Sequence, residues 1–186
     1  MTGKTILELE MIKKTFKNFC LWFSILAVAG CGATQFASGI PESFAIGPGQ
    51  KIELPPIENA TGKALSFAAD QVFNLHMSKL LRERNLESVP PHHTATVILK
   101  TKLIEFEQGD AFQRWLLPGL GTTVCTVHAE LLDRKTGALI GAIESRQTVS
   151  FGGAYSIGAY EYICRRVAEE LIQEIDKKLG KKESSG

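Results

Sequence analysis

The sequence predicts an α+β domain: a small antiparallel sheet of three or four strands with two helices packed on one face. Three observations predict it. Two segments, 61–84 and 157–179, repeat apolar residues at three- and four-residue steps, the period of an amphipathic helix. Between them, three segments alternate apolar and polar side chains, the period of a half-buried strand. Turn-forming residues separate these segments, so each helix has a sheet face to cover.

The elements follow in order. Residues 51–54 read as a short strand stopped by Pro55 and Pro56. The first helix spans Thr61–Arg84, with Leu65, Ala68, Val72 and Leu75 as its stripe, Phe67 and Phe73 beside it, and Asn59 or Thr61 as its cap. Pro90 and Pro91 then break the chain. Thr94–Glu107 carries Val97, Leu99 and Leu103 on one face and Lys100 and Lys102 on the other. Its phase switches at Ile104 and Phe106, which predicts a bulge near Leu103–Ile104. Thr122–Leu132 has Cys125, Val127, Ala129 and Leu131 on one side. Asp133–Gly137 is a turn, and Ala138–Phe151 closes a hairpin. The last helix, Ile157–Leu179, lines up Ile163, Val167, Leu171 and Ile175.

Composition bounds the function. The chain has 186 residues, 44% hydrophobic and 22% charged, which suits one folded domain and excludes a disordered chain. Its formal net charge is +1. Residues 1–30 hold Lys4, Lys13, Lys14 and Lys17 against Glu8 and Glu10, so removing these two surplus positive charges leaves −1 on the rest. That balance provides no electrostatic footprint for nucleic acid.

The N-terminal region has its own pattern. Lys13, Lys14 and Lys17 precede the apolar run Phe19–Gly30, whose 12 residues match the hydrophobic core of a signal peptide. As a helix it reaches about 18 Å, short of a hydrocarbon core about 30 Å thick. It is apolar on every side except Ser24, unlike a helix lying on a globular core. Glu8 and Glu10 are out of place before such a run, which points to Met11 as the true start.

Val28-Ala29-Gly30-Cys31 resembles the lipobox of bacterial lipoproteins. The resemblance implies cleavage after Gly30 and acylation of Cys31, and the several acyl chains give the two signals that stable anchoring needs. With Gly32 rather than an aspartate after the cysteine, it implies an outer-membrane lipoprotein facing the periplasm. The expected organisation is therefore a signal peptide over 1–30, a flexible tether over 31–50 rich in Gly, Ala, Ser and Pro, one domain over 51–180 and a polar tail over 181–186.

A second resemblance covers roughly Asn59–Ile175. Arg114-Trp115-Leu116-Leu117-Pro118-Gly119-Leu120-Gly121, then Leu132-Asp133-Arg134-Lys135-Thr136-Gly137, then Phe151-Gly152-Gly153, is similar to an envelope lipoprotein family, the domain of unknown function 4410. Thr122 and Thr123 depart from the small residue or glycine with which the family often continues. The resemblance implies no catalytic residue.

No catalytic, cofactor-binding or metal-binding set emerges from the residues themselves. His92 and His93 are adjacent and lack partners at zinc spacing, and Gly119-Leu120-Gly121 lacks the Lys-Ser/Thr of a phosphate loop. Once Cys20 leaves with the signal and Cys31 is acylated, Cys125 and Cys164 remain, either bridged or, as we favour, buried as thiols.

The informative stretch is Gly109–Leu120, which holds Phe112, Trp115, Leu116, Leu117 and Leu120 and is unusually apolar for a connection. Antiparallel pairing brings it to the sheet end from which Gly152–Ser156 and the last helix emerge. Arg114, Trp115, Gly119, Gly121, Tyr155 and Tyr160 are thus the candidate partner-binding residues. For the apolar side chains of this stretch the favoured reading is a plug over the open end of the core, and a partner- or lipid-facing patch is the alternative. The expected function is binding rather than catalysis: the membrane through Cys31, and an envelope protein or a second copy. The alternative is an envelope hydrolase built around 109–120 and 152–158.

Overall fold

A computed structural model describes residues 34–41, 44, 50–65, 68–87, 95–117, 120–150 and 158–179. The chain runs β1 (Thr34–Ser38), β2 (Lys51–Glu53), β3 (Glu58–Asn59), α1 (Ala69–Glu83), β4 (Ala95–Glu107), α2 (Ala111–Leu116), β5 (Thr123–Asp133), β6 (Leu139–Val149) and α3 (Ala159–Leu179). The architecture is α+β with one mixed sheet. Its order is β1-β6-β5-β4-β2, and β3 also pairs with β4.

The three long strands form the predicted antiparallel meander. The register of β4 on β5 shifts between Leu103 and Glu105, leaving Ile104 as the extra residue of a bulge. The shift turns Phe106 inward behind Leu103 while Glu105 faces out. The outer face is polar. Glu105 accepts from Arg146 at 3.0 Å and from Thr126 at 2.8 Å. The Arg146 hydrogen bond, reinforced by that from Thr126, holds the Glu105 carboxyl below its usual range against the opposing pull of burial.

The sheet is larger than three or four strands, and it is mixed. β2 is the short strand expected at 51–54; the additional strands, β1 and β3, are short and exposed, so alternation did not mark them. β3 is two residues long and, with β2, runs parallel to β4. β1 lies in the stretch read as a tether and pairs antiparallel with β6, Thr34 opposite Gln147 and Ser38 opposite Ile143. All five β1 residues are exposed, as befits an edge strand whose backbone pairing, not burial, holds it. Thr34 adds a hydrogen bond to Gln147 at 3.0 Å.

α1 is shorter and rotated relative to its expected form. Asn59 and Thr61 do not cap it. The Asn59 side chain accepts from the Thr61 amide and hydroxyl and donates to the Lys63 carbonyl, so these residues close a local turn. The helix begins eight residues later, without a side-chain cap. Its buried stripe is Ala69, Phe73, Met77 and Leu81, at four-residue steps. Leu75 lies two residues, about 200°, from Phe73 and is 68% exposed.

α1 and α3 pack together against the sheet. Ile163, Val167, Leu171 and Ile175 of α3 are buried as predicted, joined by Ala168 and Ile172, opposite Leu99, Val127, Leu131 and Ile143. One polar cluster crosses this interface: Ser145 and Gln147 of β6 both donate to the Glu170 carboxylate on α3.

One core hydroxyl among the described residues is left over. Thr101 sits on the buried face of β4, 3% exposed, and its Oγ1 has no hydrogen-bond partner among the described residues. Thr101→Val keeps the shape and removes the desolvated hydroxyl. We expect it to stabilise the domain by about 1 kcal/mol, measured as a rise in the urea midpoint at unchanged slope.

Candidate functional site

The connection between β4 and β5 is built rather than loose. The Asp110 side chain caps α2, accepting from the Phe112 and Gln113 amides at 2.8 and 3.0 Å. The Asp110 amide donates to the Gly121 carbonyl at 2.9 Å, closing the loop at its base. Gly109 and Gly121, both at positive φ (67° and 60°), face each other there. A Cβ on Gly109 would stand 2.4 Å from the Gly121 oxygen, and one on Gly121 would stand 2.4 Å from the Asp110 oxygen. Only glycine fits at either position.

Arg114 holds this base from inside. It is 2% exposed, and its Nη1 donates to the Gly121 carbonyl and, at 2.7 Å, to Thr123 Oγ1. The Thr123 hydroxyl passes a hydrogen bond on to the Gln108 carbonyl at 2.7 Å. Burial lowers the guanidinium's affinity for its proton, and Asp110 works against that shift. Arg114 therefore organises the loop and does not present itself to a partner.

With Arg114 turned in, the apolar side chains turn out. Trp115 is 65% exposed, and Phe112, Leu116, Leu117 and Leu120 are each more than half exposed. The Phe112 and Trp115 rings lie one helical turn apart with centroids 5.9 Å from each other. These side chains do not plug the end of the core; they form an apolar ridge over it. Sequence reasoning named Arg114 and Trp115 together, whereas the structure gives them opposite directions. Phe112, Leu116, Leu117 and Leu120 join the ridge, and the signal for them was the apolar content of the connection itself.

Of the other expected residues, Tyr160 lies in the first turn of α3 and packs against the core. Gly119 and Tyr155 lie outside the described residues, as do Cys31, His92 and His93. Cys125 on β5 and Cys164 on α3 are both buried and free. They are hydrogen-bonding neighbours, and that contact together with burial pushes the Cys125 thiol well above its usual range. Such a thiol is protonated and unreactive at neutral pH. A shallow depression of about 280 Å³ lies among His76, Gly158, Glu161, Tyr162 and Arg165, with the Arg165 guanidinium 5.5 Å from the Tyr162 ring centre. Among the described residues no group of three or more His, Cys, Asp or Glu could hold a metal ion. None of the described helices is long and apolar enough to cross a membrane.

Comparison with known proteins places the fold and the family. The chain is similar to the PelC dodecamer from Paraburkholderia phytofirmans, with 17% identity, a TM-score of 0.56, and 80% of this chain and 98% of that one covered. A single-residue variant of the same dodecamer matches at 18% identity and a TM-score of 0.52, covering 79% and 98%. Lipoprotein GNA1162 from Neisseria meningitidis aligns over 67% of this chain and 99% of its own at 12% identity, with a TM-score of 0.40, too loose to carry an argument. No curated protein matches in sequence. The family model "Domain of unknown function (DUF4410)" matches residues 56–153, from the strand before α1 to the end of the β5–β6 hairpin. This is more than half of the chain, and it contains the capped loop, its two glycines and the buried Arg114: the chain belongs to the DUF4410 family.

Proposed function

We propose that this chain is a lipid-anchored lipoprotein of the bacterial envelope that works as a binding or structural module. The observation that carries the reading is the order of features in the first 31 residues: a Lys-rich stretch, a 12-residue apolar run and Val28-Ala29-Gly30-Cys31. Signal peptidase cuts after Gly30, and acyl chains on Cys31 hold the domain at the membrane. Gly32 after the cysteine supports the outer membrane, with the domain facing the periplasm. The partners are the membrane itself and an envelope protein or further copies of this chain; the dodecameric state of a protein with the same fold supports the latter.

Binding is favoured over catalysis by how the polar groups of the α2 end are spent. Arg114 and Thr123 hydrogen-bond within the loop, and the groups turned outward there are mainly apolar. This is the composition of a contact surface rather than of a hydrolytic site.

Metabolic labelling with a fatty-acid analogue tests the anchor. The expected result is a labelled band for the natural chain and none for Cys31→Ser, which also accumulates uncleaved. A Cys31→Ser chain labelled as strongly as the natural one overturns the reading.

A further inference from the structure

The register of the sheet places two separate features at one end of the domain. Thr34 pairs with Gln147, Gln147 with Cys125, and Cys125 with Phe106, so these four residues form one row across β1, β6, β5 and β4. Two residues before Cys125, β5 begins, and three residues after Phe106 the loop that carries α2 opens at Gly109. The first strand therefore enters the sheet at the end that carries the apolar ridge. Thr34 stands about two strand spacings, roughly 10 Å, from the β5 side of that loop. Cys31 lies three residues before Thr34, a length of chain that spans at most about 11 Å. The opposite end of the meander carries the turn Asp133-Arg134-Lys135-Thr136, charged and hydrophilic.

We propose that the ridge of Phe112, Trp115, Leu116, Leu117 and Leu120 docks into the interfacial layer of the membrane to which Cys31 is anchored. The proposal rests on the reading of Cys31 as the lipidated residue. Acyl chains at Cys31 hold this end of the domain within reach of lipid, and the ridge is what that end presents. Its make-up fits the site. Tryptophan and phenylalanine favour the headgroup boundary, and leucines reach the acyl chains below it. The buried Arg114 and the cap at Asp110 keep the ridge in shape without placing an unpaired charge in lipid. The ridge would then act as a second point of attachment, fixing which way the domain stands on the membrane.

Fluorescence tests this directly, because the chain has two tryptophans and Trp22→Phe leaves Trp115 as the single emitter. The full chain carrying Trp22→Phe, purified from membranes, is reconstituted into phosphatidylethanolamine–phosphatidylglycerol vesicles with and without brominated acyl chains. We expect Trp115 emission to shift to the blue, to be quenched by the brominated chains and to become shielded from aqueous iodide. Leu116→Gln with Leu117→Gln, at two exposed positions that leave the core intact, should lose most of the bromine quenching.

Emission that stays open to iodide in the presence of vesicles overturns the proposal. Emission shielded from iodide but untouched by brominated chains also overturns it, and points to a protein surface such as a second copy. Fatty-acid labelling of the same preparation separates the two readings. Quenching without label fails the anchor alone, and label without quenching fails the ridge alone.

Discussion

Gly121→Ala should lower the stability of the domain by about 3 kcal/mol, the joint cost of a left-handed residue and of backbone collision. The residue holds φ of 60°, and a Cβ there would meet the Asp110 carbonyl oxygen at 2.4 Å and the Gln113 Cβ at 2.8 Å. Neither neighbour can retreat easily. The Asp110 backbone is tied back to the Gly121 carbonyl, and the same carbonyl takes the Arg114 hydrogen bond. Gly137 provides the control. It has φ of 71° in the β5–β6 turn with nothing within 4 Å of where its Cβ would stand. Gly137→Ala should therefore cost only the conformational part, about 1 kcal/mol. Urea unfolding of the two variants, followed by far-ultraviolet circular dichroism, gives both values. Equal midpoints would mean that the loop base yields, and that the contact between its two glycines does not hold the ridge.

Phe73→Ala should cost about 4 kcal/mol, and Leu75→Ala less than about 0.5 kcal/mol. Phe73 is 1% exposed in the core cluster, whereas Leu75 projects from the other side of α1. The smaller side chain at 73 forfeits the transfer of an aromatic ring out of water and leaves a cavity between α1 and the sheet. The measurement is again a denaturant midpoint, taken at constant slope. A Leu75→Ala variant as damaged as Phe73→Ala would return the helix to the register that its N-terminal apolar residues suggested.

That helix shows where the sequence was legible and where it was not. Long elements with clean periods came through: β4 with its bulge, β5, β6, and the stripe of α3 from Ile163 to Ile175. Each has enough turns or alternations for the period to outweigh any single residue. α1 misled because its N-terminal half has apolar residues on more than one side. Val72 and Leu75 continue the spacing of Leu65 and Ala68, which lie before the helix, while Phe73, Met77 and Leu81 set the phase that is buried and leave Leu75 exposed. Its start was misplaced because Asn59 and Thr61 serve equally well to cap a helix or to close a turn, and the pairing of β3 with β4 decided for the turn.

β1 and β3 are five and two residues long, so their existence depends on an available sheet edge rather than on their own pattern, whereas β2 was marked by the prolines that stop it. At the candidate site the residue types were visible but their directions were not. Nothing in the order Arg114-Trp115 says that the charged neighbour turns in and the indole turns out. The reversal comes from Thr123, the Gly121 carbonyl and the short helix that sets the two side chains about 100° apart.

β1 also sets an order of events in time. Its partner strand lies far down the chain: Thr34 and Gln147 are 113 residues apart. The β5–β6 hairpin, by contrast, closes across the turn between Asp133 and Leu139. Closing the longer loop costs more chain entropy and gains only one short exposed strand, so the meander and α3 assemble first and β1 docks onto a finished edge. For a chain that emerges N-terminus first, β6 arrives last among the strands. Until it does, β1 has no sheet edge to join.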